Sequence, residues 1–186
     1  MLESFPELKT ERLNLIEIKQ PYLNDYYKLF CDERVSKFYN IIPFKEKVEA
    51  QKYLDWFKNQ FKEKLGIRWG IVIKEQKHII GTLGFNNFQK NHRANIGYDL
   101  QFEFWNKGII TEALREVISF GFNKLEINRI EAEVMQGNIA SEKVLSKLGF
   151  TKEGILRNWM YWNDEYYDMT MFSLLRSENE SNKNAS

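Results

Sequence analysis

The sequence is poor in the residues that hold metals and form covalent cross-links. Its 186 residues include one cysteine, Cys31, and two histidines, His78 and His92. A single cysteine forms neither an internal disulfide nor a cysteine-based zinc cluster, and two histidines are few for a histidine metal site. We therefore predict a protein without a metal site.

Charge of one sign and long apolar runs are also missing. The 27 basic and 26 acidic residues leave a net charge of +1, which does not favour a general nucleic-acid or membrane-surface role. No apolar run approaches the length of a membrane span, and the start, MLESFPELKTERL, lacks the apolar core of a signal peptide. We expect a cytoplasmic protein with no nucleic-acid partner and no membrane association.

Apolar residues, in contrast, are plentiful. They make up 43% of the chain and aromatic residues 15%, which is typical of a globular protein. The length suits one core, and no Gly/Pro/Ser linker divides the chain. We predict one domain over residues 1–176 and a disordered polar tail, SENESNKNAS, over residues 177–186.

The hydrophobic periodicity predicts an α/β fold. Strands are predicted at 12–18, 69–74, 78–85, 94–101, 129–135, 154–159 and 168–175, and helices at 21–30, 45–64, 111–125 and 138–148. Short polar turns join the second, third and fourth strands, which favours an antiparallel meander. The fold class is a mixed, mostly antiparallel sheet with a strand–helix crossover in its middle and about four flanking helices.

The loop between the predicted strand at 94–101 and the following helix suits an anion. The first amides of a helix lack internal partners and lie at the positive end of its dipole. Gly108 allows a tight bend and a close ligand, and Lys107 adds a positive charge. These residues favour a pyrophosphate, although they are also compatible with a plain turn and a solvated lysine. The loop has neither the GxxxxGK[ST] pattern of a P-loop nor the GxGxxG of a dinucleotide-binding turn.

Residues 96–114, IGYDLQFEFWNKGIITEAL, resemble the cofactor-binding motif of the GCN5-related N-acetyltransferases (GNAT), and in particular the branch that acetylates ribosomal-protein N-termini. The general motif, Arg/Gln-x-x-Gly-x-Gly/Ala, aligns with Trp105, Gly108 and Ile110. Trp105 and Ile110 depart from it, and Ile110 puts the closeness of phosphate packing in question. The ligand contacts in this family are mainly backbone amides.

Other segments match the same branch. Residues 128–157, NRIEAEVMQGNIASEKVLSKLGFTKEGILR, are similar to its second motif, and LKTERLNL and DMTMFSLL match its two ends. The resemblance covers residues 8–176. It implies the GNAT fold, in which the central sheet splays in the middle, and acetyl-CoA as the acetyl donor.

The resemblance also assigns residues to the donor site. It places the pyrophosphate on the loop and first helical turn and the pantetheine arm beside Leu100. The implied loop contacts are Asn106, Lys107, Gly108, Ile109, Ile110 and Thr111. Asn138 is either a ligand of the pantetheine arm or a plain N-cap. Lys143 and Lys147 lie one turn apart and either meet the 3′-phosphate of CoA or remain solvated.

Ser141 is the candidate hydrogen-bond donor to the leaving thiolate. Many relatives use a tyrosine seven residues after the asparagine, but Leu145 occupies that place here. The alternative for Ser141 is a capping role alone. Glu133 and Asp99, together with Glu131, are the carboxylates nearest the implied cleft and the candidates for the general base. Surface charge, a water-mediated base or capture of the neutral amine are the alternatives.

The sequence thus predicts an acetyl-CoA-dependent N-acetyltransferase that acts on a protein or peptide N-terminal amine by direct transfer in a ternary complex. A small amine (a polyamine, an amino acid or an antibiotic) is the alternative acceptor, and an acyl-CoA-binding module without catalysis is the alternative class. Three aromatic residues before the last strand, Trp159, Tyr161 and Trp162, either line the acceptor pocket, fill the core or form the contact of a homodimer.

Overall fold

An eight-stranded sheet forms the centre of the structure, a computed structural model that describes residues 2, 4–39 and 41–179. Its strands are β1 (Leu8–Lys9), β2 (Leu13–Glu17), β3 (Ile67–Ile73), β4 (Gly81–Asn86), β5 (Arg93–Leu100), β6 (Arg129–Met135), β7 (Thr151–Trp162) and β8 (Glu165–Leu175). The helices that flank it are α1 (Leu23–Cys31), α2 (Glu33–Ser36), α3 (Lys47–Lys62), α4 (Ile109–Asn123) and α5 (Ile139–Lys147). The predicted mixed α/β fold is confirmed.

The order of the strands across the sheet is β1-β2-β3-β4-β5-β6-β8-β7. Neighbours are antiparallel with one exception: β5 and β6, which α4 connects, are parallel. The predicted meander is therefore β3-β4-β5, and the crossover in the middle is β5-α4-β6. A helical crossover is the connection that adjacent parallel strands require.

The alternation of side chains along the strands divides the core between the two faces of the sheet. One face, called the α4 face here, packs Trp69, Phe85 and Ile130 against α4 and α5. The opposite α3 face packs Ile18 and Val72 against α1 and α3. Residues next to one another on a strand therefore face different surroundings.

The parallel pairing of β5 with β6 is short. It joins Arg93 to Arg129, Ala94 to Ile130 and Asn95 to Glu131, and stops there, although β5 continues to Leu100 and β6 to Met135. Each strand keeps an antiparallel partner on its outer side, β4 for β5 and β8 for β6. The result is the predicted splay, a gap between the ends of two firmly held strands.

Several boundaries differ from the sequence predictions. The last two strands form a longer hairpin than predicted, and β4 begins at Gly81 rather than at residue 78. The Ile79 amide donates to Asp25 Oδ2 (3.0 Å), outside the ladder. Residues 176–179 form one helical turn where a disordered tail was predicted from residue 177. The remainder of that predicted tail, 180–186, lies outside the described residues.

Candidate active site

The loop before α4 has the geometry of an anion site. Gly108 is the N-cap of α4 in the left-handed conformation, with φ 73°, and Asn106 is also left-handed, with φ 59°. The first amide with an intrahelical acceptor is that of Glu112, which donates to the Gly108 oxygen (3.0 Å). The amides of Ile109, Ile110 and Thr111 have no acceptor among the described residues. Helix α4 thus begins two residues earlier than predicted and presents three free donors.

The space in front of Gly108 is open. A Cβ atom built there would meet one group within 4 Å, the Arg12 Nη2 atom at 3.6 Å. Glycine is nevertheless the favoured residue here, because other residues adopt a φ of 73° only rarely. A ligand oxygen can therefore approach the backbone closely at this point.

Two other side chains of the loop contact neighbouring groups of the loop and of β5. The Lys107 ammonium lies 5.5 Å from the centre of the Phe104 ring, and Trp105 Nε1 donates to the Leu100 oxygen (2.8 Å). The tryptophan thereby ties the loop back to the end of β5. The anion site is built mainly of backbone, so the departures at Trp105 and Ile110 leave its donors intact.

The end of β5 presents backbone groups to the gap. The Gln101 amide donates to the Ile80 oxygen, toward β4. Alternate residues of an antiparallel ladder point their peptide groups to opposite sides, so those of Leu100 and Tyr98 point away from β4 and into the gap. With the Leu100 oxygen bonded to Trp105, its amide is the group left for a ligand at the predicted position.

Two hydroxyl groups, those of Tyr98 and Ser141, form a pair on the α4 face, between β5 and the start of α5. Asn138 caps α5 by accepting the Ser141 amide (3.2 Å), and the Ser141 Oγ atom lies 2.6 Å from the phenol oxygen of Tyr98 on β5. Burial raises the pKa of Tyr98 to about 12, while the hydrogen bond with Ser141 lowers it. The phenol is therefore neutral at physiological pH. Leu145 is fully buried and offers no polar group.

Asp99 lies on the opposite face of β5, in a buried ion pair with Arg68. Their side chains are 2% and 5% exposed. The Asp99 carboxylate also accepts the amide (3.0 Å) and the hydroxyl (2.8 Å) of Thr82, while Arg68 donates to Tyr39 and to the Gly97 oxygen. Burial raises the pKa of Asp99, and Arg68 and Thr82 oppose that effect.

Glu133 is the freer carboxylate on the α3 face. It accepts from Asn95 Nδ2 (3.2 Å) and from Trp159 Nε1 (3.0 Å), and it has no cationic partner within 4.0 Å among the described residues. Glu131, in contrast, is bonded to two arginines, Arg93 and Arg129. This geometry favours Glu133 over Asp99 and Glu131 as a base.

An irregularity in β7 brings Trp159 to Glu133. The register of β7 against β8 shifts between Leu156 and Met160, and Asn158 takes a positive φ of 51° while its amide donates to Asp168 Oδ1 (2.8 Å). A bulge of this kind redirects side chains, and Trp159 reaches across β8 to β6. Its ring remains 56% exposed and so can contact a ligand on this face.

The three predicted catalytic side chains therefore do not meet at one point. Ser141 lies on the α4 face, while Glu133 and Asp99 lie on the α3 face. Lys143 and Lys147 are exposed on α5.

In the described part of the chain, no helix is long and apolar enough to cross a membrane, and no group of three or more His, Cys, Asp or Glu side chains is placed to hold a metal.

Comparison with known families identifies this arrangement. Residues 12–151 match the acetyltransferase (GNAT) domain family. The chain belongs to this family. It is accordingly an acyltransferase, and the matched residues include the loop at Gly108 and the hydroxyl pair.

Individual relatives agree over nearly the whole acetyltransferase. This chain is 38% identical over 173 residues to the uncharacterized N-acetyltransferase YoaA of Bacillus subtilis (strain 168), and the alignment covers 92% of this chain and 98% of YoaA. The structure of a ribosomal-protein-S5-alanine acetyltransferase from Vibrio fischeri superimposes with a TM-score of 0.78 at 25% identity, covering 93% and 98% of the two chains. RimL, a ribosomal L7/L12 α-N-protein acetyltransferase in complex with coenzyme A, shares the fold with a TM-score of 0.83 at 20% identity, over 91% of this chain and 98% of that one.

Two residues that lie beside the candidate site residues Ser141 and Gly108 were not singled out from the sequence. Tyr98 belongs to the quoted IGYDL stretch and Arg12 to LKTER, but neither position had a predicted role. Their partners are 43 and 100 residues away. The signal that was available is the presence of both residues inside stretches that resemble the family.

Proposed function

We propose that this enzyme transfers the acetyl group of acetyl-CoA to the N-terminal amine of a protein or peptide, in a ternary complex of donor, acceptor and enzyme. The observation that carries the proposal is the open, left-handed Gly108 at the start of α4, directly beside the gap between β5 and β6. Acetyl-CoA supplies an activated thioester at the end of a long arm that carries a pyrophosphate. A gap next to an anion site suits such a molecule.

The donor site would be formed mostly by backbone. The amides of Ile109, Ile110 and Thr111 would bind the pyrophosphate, as helix N-termini commonly do, and Asn106, Lys107 and Gly108 would shape the approach. The amide of Leu100 and the cap residue Asn138 border the gap where the pantetheine arm would lie. Lys143, which is exposed on α5, would bind the 3′-phosphate of CoA.

Ser141 and Tyr98 would stabilise the leaving thiolate by hydrogen bonding. The pKa of Tyr98 is raised to about 12, whereas an ordinary thiol has a pKa of about 8.5. The phenol is thus a weaker acid than the thiol and keeps its proton. Tyr98 would position the Ser141 hydroxyl, which would donate to the sulfur as the carbon–sulfur bond breaks.

The acceptor would enter from the α3 face, where Glu133 lies. A neutral amine forms the new carbon–nitrogen bond, and Glu133 would accept the amine proton directly or through water. An N-terminal amine has a pKa of about 7.7–8.0 and a lysine side chain about 10.4, so far more of the former is neutral at pH 7. This difference favours N-terminal amines as substrates.

The charges on the α3 face favour a peptide end over a polycation. Asp99 is neutralised by Arg68 and Glu131 by two arginines, which leaves Glu133 as the one of these three carboxylates without a cationic partner among the described residues. A polyamine would need several unpaired acidic groups. The exposed ring of Trp159 leaves the entrance open and suits an extended substrate.

An acceptor screen tests the proposal. Acetyl-CoA would be incubated with the enzyme and either peptides that begin with Ala or Ser, the same peptides with a blocked N-terminus and a free lysine, or small amines. We expect acetylation of the free N-termini at pH 7, measured by thiol release and peptide mass. Fast acetylation of a polyamine without peptide activity would assign a small-amine acceptor, and thioester turnover independent of every acceptor would favour a binding module.

A further inference from the structure

A cluster at the start of the chain contacts the anion site from outside. Strands β1 and β2 are joined by a turn that contains Thr10 and Arg12. The Thr10 hydroxyl and the Arg12 amide both donate to Glu112 Oε1 (2.5 and 2.9 Å), and Arg12 Nε donates to Glu112 Oε2 (2.6 Å). The Thr10 hydroxyl oxygen also accepts a hydrogen bond from the Leu13 amide (3.0 Å), which fixes the orientation of the Thr10 side chain. The turn is thereby bound to the first turn of α4.

These bonds keep Glu112 away from the free amides of the helix. An acidic side chain in a first helical turn is attracted to the unpaired amides there. Both Glu112 oxygens are occupied by donors from the β1–β2 turn, so the amides of Ile109, Ile110 and Thr111 stay available. Burial opposes the ionisation of Glu112, but Thr10 and Arg12 outweigh it and hold its pKa below the usual range. Its negative charge is balanced by Arg12 and does not face the anion site alone.

Arg12 also lies against the loop itself. Its Nη1 atom donates to the Lys107 oxygen (3.3 Å), and its Nη2 atom is the group nearest to the open side of Gly108. Nη2 has no hydrogen-bond acceptor among the described residues, and the side chain is half exposed. A planar guanidinium with free donors beside three free amides matches the oxygens of a phosphate group.

We infer that Arg12 is a binding residue for the pyrophosphate of the acetyl donor and that Thr10 and Glu112 position it. This inference rests on the proposed function, since it concerns the same donor. It gives the LKTER stretch a role at a site whose main loop lies about 100 residues later in the chain. The turn between β1 and β2 thus brings a positive charge to a site otherwise made mainly of backbone.

The test compares two ligands, one with and one without the pyrophosphate and the nucleotide. Calorimetry would measure the affinity of CoA and of pantetheine, which lacks the pyrophosphate and the nucleotide, for the parent enzyme and for Arg12→Met. We expect CoA affinity to fall by about 10-fold to 100-fold, in line with the loss of a charge-assisted hydrogen bond. Pantetheine affinity should stay within about two-fold, and the salt dependence of CoA binding should become weaker.

Arg93→Met is the matched control. Arg93 is an exposed arginine of similar accessibility that is paired with a largely buried glutamate, at the opposite end of β5 from the loop. The Arg93→Met substitution removes the same charge from the protein as Arg12→Met does, and the affinity for CoA should not change. Arg12→Lys, which keeps the charge but loses the planar fork, should lie between the parent and Arg12→Met in its ratio of CoA to pantetheine affinity.

The outcomes separate this inference from the proposed function. Unchanged CoA affinity in both Arg12 variants, or an equal loss for CoA and pantetheine, would overturn the role of Arg12 while leaving the donor assignment in place. A parent enzyme that does not bind CoA would overturn both. If Arg12→Met does not fold, the affinity ratio of Arg12→Lys decides the question, with a value equal to that of the parent counting against the inference.

Discussion

The two faces of the sheet build their halves of the active site in different ways. On the α4 face, the free amides and the hydroxyl pair come from two compact segments, residues 98–111 and 138–141, and the turn between β1 and β2 adds Arg12 beside them. On the α3 face, the polar groups come from residues scattered from Tyr39 to Trp159 and rely on side chains. The first half recognises a constant ligand with few side chains, whereas the second can change its chemistry by single substitutions. This difference explains why a shared fold and donor loop do not fix the acceptor.

The buried ion pair should give the largest effect on stability if the α3 face depends on it. Asp99→Ala leaves the Arg68 charge buried without its partner, and we expect a loss of about 3–5 kcal/mol in the free energy of unfolding. Denaturant unfolding would measure it. If the two faces are independent, CoA affinity of the folded fraction should stay near that of the parent.

Glu126→Ala provides the reference for that measurement. Glu126 forms an exposed pair with Lys90 at 3.5 Å, and its loss should change stability by no more than about 0.5 kcal/mol. Equal effects of the two substitutions would mean that the Asp99–Arg68 pair does not organise the α3 face.

The anion site should give the next largest effect. Acetyl-CoA at one hundred times its dissociation constant should stabilise the parent by about 2.7 kcal/mol. Gly108→Asp should abolish this gain, because it places a negative side chain against the pyrophosphate and strains the left-handed backbone. Thermal unfolding with and without acetyl-CoA measures the difference.

Gly154→Asp controls for the added charge and for backbone strain, since Gly154 has a φ of 157° and a side chain there would meet nothing within 4 Å. Its acetyl-CoA shift should equal that of the parent. A normal shift in Gly108→Asp would remove the loop from the donor site.

The hydroxyl pair should affect turnover rather than binding. Ser141→Ala should lower kcat by about 10-fold to 100-fold, near the low end for proton-transfer catalysis, with little change in KM for acetyl-CoA. Tyr98→Phe should lower kcat by a smaller factor, because the serine hydroxyl remains but is less well oriented. Steady-state kinetics would provide both values.

The double variant of this pair tests their coupling. If Tyr98 acts through Ser141, Tyr98→Phe should have no further effect in the Ser141→Ala background. Independent, multiplying losses would show that Tyr98 acts on something else. Full kcat in Ser141→Ala would reduce that serine to part of the cap.

The smallest expected effect is that of the α5 cap. Asn138→Ala removes the acceptor of the Ser141 amide and should cost about 1 kcal/mol of stability. We also expect weaker CoA binding, because the side chain borders the gap. An effect on kcat alone, without loss of stability or affinity, would contradict this assignment.

The loop at Gly108 and the cap at Asn138 were predictable from the sequence because their signals are local. A glycine at the start of a helix and an asparagine before the next one mark their own positions, and the structure has Gly108 and Asn138 at two helix N-caps. The sheet, its crossover and the splay also followed from periodicity and resemblance. The exact start of α4 did not, because the left-handed Gly108 lets the helix begin at once.

The other half depends on contacts between distant residues. No pattern near Asp99 indicates that Arg68, 31 residues earlier, neutralises it. Likewise, Trp159 reaches Glu133 only because β7 bulges at Asn158, and bulges have weak sequence signals. To predict side-chain pairs that form across strands, one must know the register of the strands, which the sequence patterns do not provide.

The strand order has a consequence for how the enzyme is made. Because β8 lies between β6 and β7, one edge of β6 has no partner until the last of the described strands has left the ribosome. Domains fold as units while synthesis proceeds from the N-terminus, and an unpaired strand edge invites association with other chains. The wall of the gap formed by β6 is therefore completed last. A nascent chain that ends after β7 carries all the residues proposed to bind the donor but lacks β8, the strand that holds β6 on its outer side.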